Sequence, residues 1–94
     1  MPTQKQHAAA RNAARARYDE LLALQGGVCP GCERAPQRVR HCIDHDHKTL
    51  EVRGLLCFRC NYVTGQRWGM TPAVLRRLAD YLDNPPARQL DPPL

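Results

Sequence analysis

Asp44-His45-Asp46-His47-Lys48-Thr49-Leu50-Glu51-Val52-Arg53-Gly54-Leu55-Leu56-Cys57-Phe58-Arg59-Cys60-Asn61 is the stretch on which the fold turns. It sets two carboxylates and two imidazoles side by side, follows them with an apolar run, and ends in a Cys-x-x-Cys knuckle with an asparagine directly behind it. A second knuckle, Cys29-Pro30-Gly31-Cys32, lies upstream, with 24 residues between Cys32 and Cys57. Two knuckles at that separation predict one tetrahedral Zn²⁺ on Cys29, Cys32, Cys57 and Cys60, with no open position for substrate, so the zinc is expected to be structural. A thioredoxin-like redox pair is the alternative, but the βαβ pattern it needs is missing. Cys42, the fifth cysteine, has no place in a four-ligand site and reads as a small buried hydrophobe.

Working outward, the short chain explains why a staple is needed. Ninety-four residues with one Phe, one Trp and three Tyr make one small domain with a thin aromatic core. No run approaches the roughly 18 apolar residues that span a bilayer, and Met1 to Ala10 lacks a signal-peptide core, so the expected location is the cytoplasm, away from membranes. The formal charge is +5, and 12 of the 14 cations are Arg. Guanidinium forks suit phosphate, so the balance leans toward nucleic acid.

The Ala-rich segment from about Gln4 to Gln25 predicts a helix, with Tyr18, Leu21, Leu22 and Gln25 on one face and Arg11 and Arg15 one turn apart, ended by Gly26-Gly27. Short strands are expected at about Val39 to Asp44 and Glu51 to Leu56, with a polar turn from His45 to Leu50 between them. A helix starts near Cys57 to Asn61. A last helix runs from Thr71, its N-cap, to Leu82, with Val74, Leu75, Leu78, Ala79 and Leu82 as its apolar stripe. The chain thus divides into a basic N-terminal helix (1–26), a zinc-bound domain (27–83), and a tail (84–94) whose four prolines predict disorder.

In extended backbone, Asp44 and Asp46 point to one face and His45 and His47 to the other, so neighbouring residues can serve a metal and a base separately. Asn61 follows a zinc ligand, which can fix its amide oxygen near Asp44. One carboxylate and one amide oxygen suit Mg²⁺, which takes few protein ligands and keeps its waters. A solvated, hydrogen-bonded turn is the bland reading of the same four residues.

The motif from Asp44 to Thr49, then Val52 to Asn61 and Gly65, together with the upstream knuckle, resembles the recombination endonuclease VII family of HNH, or His-Me finger, nucleases over about Gly27 to Leu82. Leu75 to Leu82 looks like the family's closing helix. The resemblance implies a small α+β fold: a zinc-stapled ββα-metal finger flanked by an N-terminal and a C-terminal helix. It implies Asp44 and Asn61 as ligands of a catalytic Mg²⁺ or Mn²⁺, His45 as general base, and His47 as an accessory group at the scissile phosphate. The expected activity is divalent-metal-dependent endonucleolytic cleavage of DNA, leaving 5′-phosphate and 3′-hydroxyl ends, in a phage or bacterial cell.

Arg11, Arg15, Arg53, Arg59 and Arg67 are the candidate phosphate contacts, DNA the expected partner through its backbone, and a homodimer the assembly considered. Trp68 is expected to pack under the last helix. Leu50 stands where many members have Gly, which predicts a differently shaped turn. Tyr62, Val63 and Thr64 follow Asn61 where some members carry Glu, which removes a third metal carboxylate. The competing reading is a non-catalytic zinc module that binds nucleic acid or protein.

Overall fold

The computed structural model describes residues 1–62 and 71–94. Thr3 opens α1 (Gln4–Arg15) with a reciprocal capping box: its hydroxyl accepts from the Gln6 N–H at 3.1 Å, and the Gln6 side chain accepts from the Thr3 N–H at 2.8 Å. The single helix expected to Gln25 is broken at Arg17 and restarts as α2 (Tyr18–Leu24). The restart puts Asp19 and Glu20 in a first turn, where negative charge complements the helix dipole, and Arg17 grips Glu20 with both prongs at 3.0 Å. Gly26 and Gly27, at φ +68° and +80°, then end it.

Strands β1 (Cys42–His45) and β2 (Val52–Leu56) form an antiparallel hairpin, pairing Cys42 with Leu56, Ile43 with Leu55, Asp44 with Gly54 and His45 with Val52. The first strand is shorter than expected, because Val39 is solvent-exposed and lies outside it. The register slips between Asp44 and His45, which leaves Arg53 as an extra residue opposite the two. Such bulges re-aim side chains, and Arg53 turns back onto Asp44. In the turn, the Asp46 carboxylate accepts from the backbone N–H groups of Lys48 at 2.7 Å and Thr49 at 3.0 Å. Leu50 closes it at φ +67°, a left-handed conformation that favours glycine. The turn therefore takes a glycine-type backbone despite the leucine, and the side chain bears the strain.

Helix α3 (Phe58–Tyr62) leaves β2 directly, and α4 (Pro72–Asp83) starts at Thr71, whose hydroxyl accepts from the Val74 N–H at 3.2 Å. The stripe of α4 is rotated from the expected one. Leu78 and Tyr81 are buried and Val74 packs beside them, while Leu75 and Leu82 stay exposed. The cause is the Tyr81 hydroxyl, which donates to Asp44 at 2.8 Å and turns that face toward the hairpin.

The segment expected to be disordered instead forms a 3₁₀ turn at Pro86–Gln89. It buries Ala87 and Leu90, three residues apart, against Leu21 and Leu55, and Arg88 clamps Glu51 with contacts of 2.7 and 3.0 Å. One core cluster thus takes Ala14, Tyr18 and Leu21 from the N-terminal segment, Val52 and Leu55 from the hairpin, and Ala87 and Leu90 from the tail.

The two leucines of the hairpin predict opposite outcomes. Leu55→Ala, at a fully buried position, is expected to cost about 2–5 kcal/mol. Leu50→Gly relieves a left-handed leucine and should leave stability within about 1 kcal/mol of wild type or raise it. Denaturant unfolding of both variants checks this; an equal loss from both would contradict the strained turn.

Candidate active site and metal centre

The loop after α2 and the junction between β2 and α3 bring four thiols together. Cys29, Cys32, Cys57 and Cys60 offer sulfurs that all lie within 4.8 Å of one another, with Cys29 and Cys60 buried. The Cys32–Cys57 sulfur separation is 3.6 Å, close to the edge of about 3.8 Å for a tetrahedron with Zn–S arms of ~2.3 Å. Burial, and then the neighbouring Cys29, push the Cys60 thiol up, the direction expected where thiols crowd without a cation. Donor set and spacing fit a closed structural zinc site. Cys42 stays outside it, half-buried rather than buried, with its thiol raised chiefly by burial.

The closeness of the knuckle to α4 depends on Gly31. A Cβ there would meet Leu78 Cδ2 at 2.8 Å and Cys60 Sγ at 2.9 Å, while the Arg77 side chain donates to the Gly31 carbonyl at 2.8 Å.

Asp44 and His45, adjacent on β1, are both buried. Both Asp44 oxygens are engaged: Arg53 donates to them at 2.9 and 3.1 Å, and Tyr81 at 2.8 Å. Gly54, opposite Asp44, makes room for this, since a Cβ there would meet Gln25 Oε1 at 2.6 Å and Tyr81 Cε1 at 3.0 Å. Burial, then His47, His7 and Arg11, lower the basicity of His45 against the opposing pull of Asp44, a shift that favours the neutral imidazole. His47 is exposed and stacks on His45, with ring centroids 4.5 Å apart and planes at 16°. Asp46 serves the turn.

Among the described residues no hydrogen bond connects Asn61 to Asp44, as befits an amide oxygen and a carboxylate, both acceptors. Asn61 lines a cleft of about 340 Å³ with Arg11, Arg15, Arg40 and Ile43. A second cleft, of about 370 Å³, holds Arg34, Arg38, Arg40, Phe58 and Arg59. Arg11, Arg15 and Arg59 therefore border a basic surface on which Arg40 is shared. Arg53, expected at a phosphate, is instead paired to Asp44. Arg67 and Trp68 lie outside the described residues.

Two site residues escaped the sequence reading. His7 sets its Nδ1 3.0 Å from His45 Nε2. The signal was available, because His7, Arg11 and Arg15 recur every four residues along α1. Arg40, whose guanidinium lies 4.4 Å from the centre of the Tyr18 ring, had no such periodicity to reveal it.

Gly31→Ala tests the knuckle geometry. The added methyl should lower both zinc retention under chelator competition and the thermal midpoint, since backbone or Leu78 must shift. Unchanged zinc retention would contradict the close approach.

Comparison with known proteins adds lineage to this geometry. Residues 4–84 match the family model of recombination endonuclease VII. The chain is 47% identical over 76 residues to the Gene 59 protein of Mycobacterium phage D29 and 45% identical over 76 residues to the Gene 59 protein of Mycobacterium phage L5. Each alignment covers 78% of this chain and 45% of the relative, so the chain spans less than half the length of these relatives. No solved structure gives a significant match. The match extends from the helix that carries His7 and Arg11, through both cysteine knuckles and the hairpin, to the end of α4, and the chain belongs to the recombination endonuclease VII family.

Proposed function

We propose that this chain is a DNA endonuclease of the HNH type, with His45 as the general base and a hard divalent cation held by Asp44 and Asn61. The observation that carries the reading is a buried imidazole next to a buried carboxylate on one strand, in a molecule whose clefts are bordered by Arg11, Arg15, Arg40 and Arg59. The family assignment supports the substrate class, since DNA is what such a basic surface would hold through its phosphates.

His45 takes a proton from a water, whose oxygen attacks phosphorus while the 3′ oxygen leaves, which gives 5′-phosphate and 3′-hydroxyl ends. His47, beside it on the exposed side, is suited to contact the scissile phosphate. The oxygens of Asp44 and Asn61 match the donor preference of Mg²⁺ or Mn²⁺, which when bound supplies charge neutralisation at the phosphate and at the leaving oxygen. Arg53 is the cation that holds Asp44 in the present arrangement, so ion binding competes with that pair. No helix among the described residues is long and apolar enough to cross a membrane.

Plasmid nicking across a Mg²⁺ and Mn²⁺ titration tests these roles. His45→Ala should lower the rate about 10²- to 10⁴-fold, with folding and DNA binding retained and no rescue by added metal. Asp44→Ala and Asn61→Ala should lose activity in a way that higher metal partly restores, with His47→Ala milder than either. Cleavage by His45→Ala at the wild-type rate would remove the catalytic assignment and favour a non-catalytic zinc module.

A further inference from the structure

His7 is the residue that the reading above leaves without a task, yet it is placed with care. It lies one turn before Arg11 on α1 and meets the two imidazoles of the hairpin turn. Its ring centroid is 5.2 Å from that of His45 and 5.0 Å from that of His47. One ring nitrogen from each of the three falls within 4.8 Å of the others. The closest pair, His7 Nδ1 and His45 Nε2 at 3.0 Å, nearly matches the edge of about 3.3 Å for two imidazoles on one tetrahedral Zn²⁺ with ~2.0 Å arms. Among the described residues this is one of two clusters with metal-ligand geometry, and it shares no side chain with the four cysteines.

We propose that His7, His45 and His47 form a second metal site, selective for a borderline transition metal such as Zn²⁺, Co²⁺ or Ni²⁺, with one coordination position left open to solvent. The donors are three imidazoles and no oxygen, which suits these ions and not Mg²⁺. The three residues come from two separate elements, α1 and the hairpin, so the site also ties the N-terminal helix to the turn. His47 is exposed and His7 half-buried, which leaves an entry path. The set differs from Asp44 and Asn61 in every residue.

Occupancy has a chemical consequence. A neutral imidazole bound to metal through Nε2 carries its one proton on Nδ1, so His45 then has no free lone pair with which to accept a proton. The filled site therefore switches the proposed nuclease off, while Mg²⁺ leaves it on. This consequence rests on the proposed role of His45; the binding itself does not.

The test reads metal before it reads activity. The full chain is dialysed against Zn²⁺, washed free of excess, and its zinc is quantified, in parallel with His7→Ala and His47→Ala. Alanine is a better helix former than histidine at position 7, so that variant should fold, which circular dichroism checks. Wild type is expected to hold two equivalents and each variant one. With Co²⁺ as probe, wild type should show both a thiolate-rich and an imidazole-rich spectrum, and His7→Ala only the former. A single equivalent in wild type, or two in folded His7→Ala, would overturn the proposal. Nicking in Mg²⁺ with a second equivalent of Zn²⁺ added should fall at least tenfold in wild type but less than twofold in His7→Ala. If two equivalents bind and nicking is unaffected, the site stands and the role of His45 as base is what fails.

Discussion

Four thiols drawn from the two ends of a 24-residue excursion set the geometry that everything else uses. They fix where the loop after α2 ends, where β2 stops and where α3 begins, and through Gly31 and Arg77 they decide how closely α4 can approach. The buried residues around them, Leu56, Leu78 and Tyr81, are too few to close that side of a small domain without a central staple. A metal bound there contributes its binding free energy to folding, because an unfolded chain has no such site. The opposite side of the hairpin is held differently, by a cluster without metal ligands that takes Ala87 and Leu90 from the tail.

The candidate site sits between these two supports. Its carboxylate faces the zinc side, where Tyr81 and Arg53 hold it, and its imidazole faces α1, where His7 meets it. That division follows from strand alternation, since Asp44 and His45 are neighbours on β1 and so look to opposite faces. The bulge at Arg53 then brings a cation to the carboxylate, and among the described residues no buried side-chain polar atom lacks a partner. One hairpin thus presents a hard oxygen donor on one side and a cluster of nitrogen donors on the other.

Local signals were legible in the sequence and long-range ones were not. The cysteine knuckles, the Thr71-Pro72 helix start and the existence of the hairpin rest on residues close together in the chain, and the structure has all three, with the first strand moved to Cys42–His45. The rotation of α4 was hidden because an aliphatic stripe of Val74, Leu75, Leu78, Ala79 and Leu82 looks complete without Tyr81. Only the buried Asp44, 37 residues away, gives the tyrosine its reason to turn inward. The tail was misread because proline content argues for disorder when the surface that Ala87 and Leu90 cover cannot be seen. The partners of Asp44 were equally hidden: Arg53 is nine residues away and Tyr81 thirty-seven, and neither spacing marks a pair, while Asn61 borders the basic cleft.

Progressive withdrawal of zinc, with metal content and circular dichroism read on the same sample, separates what the four thiols contribute to folding from everything else. Helical signal should survive loss of the first equivalent and collapse in step with the last, as the cysteine cluster empties. Native helical signal and an unchanged thermal midpoint in protein shown to be free of zinc would contradict that dependence.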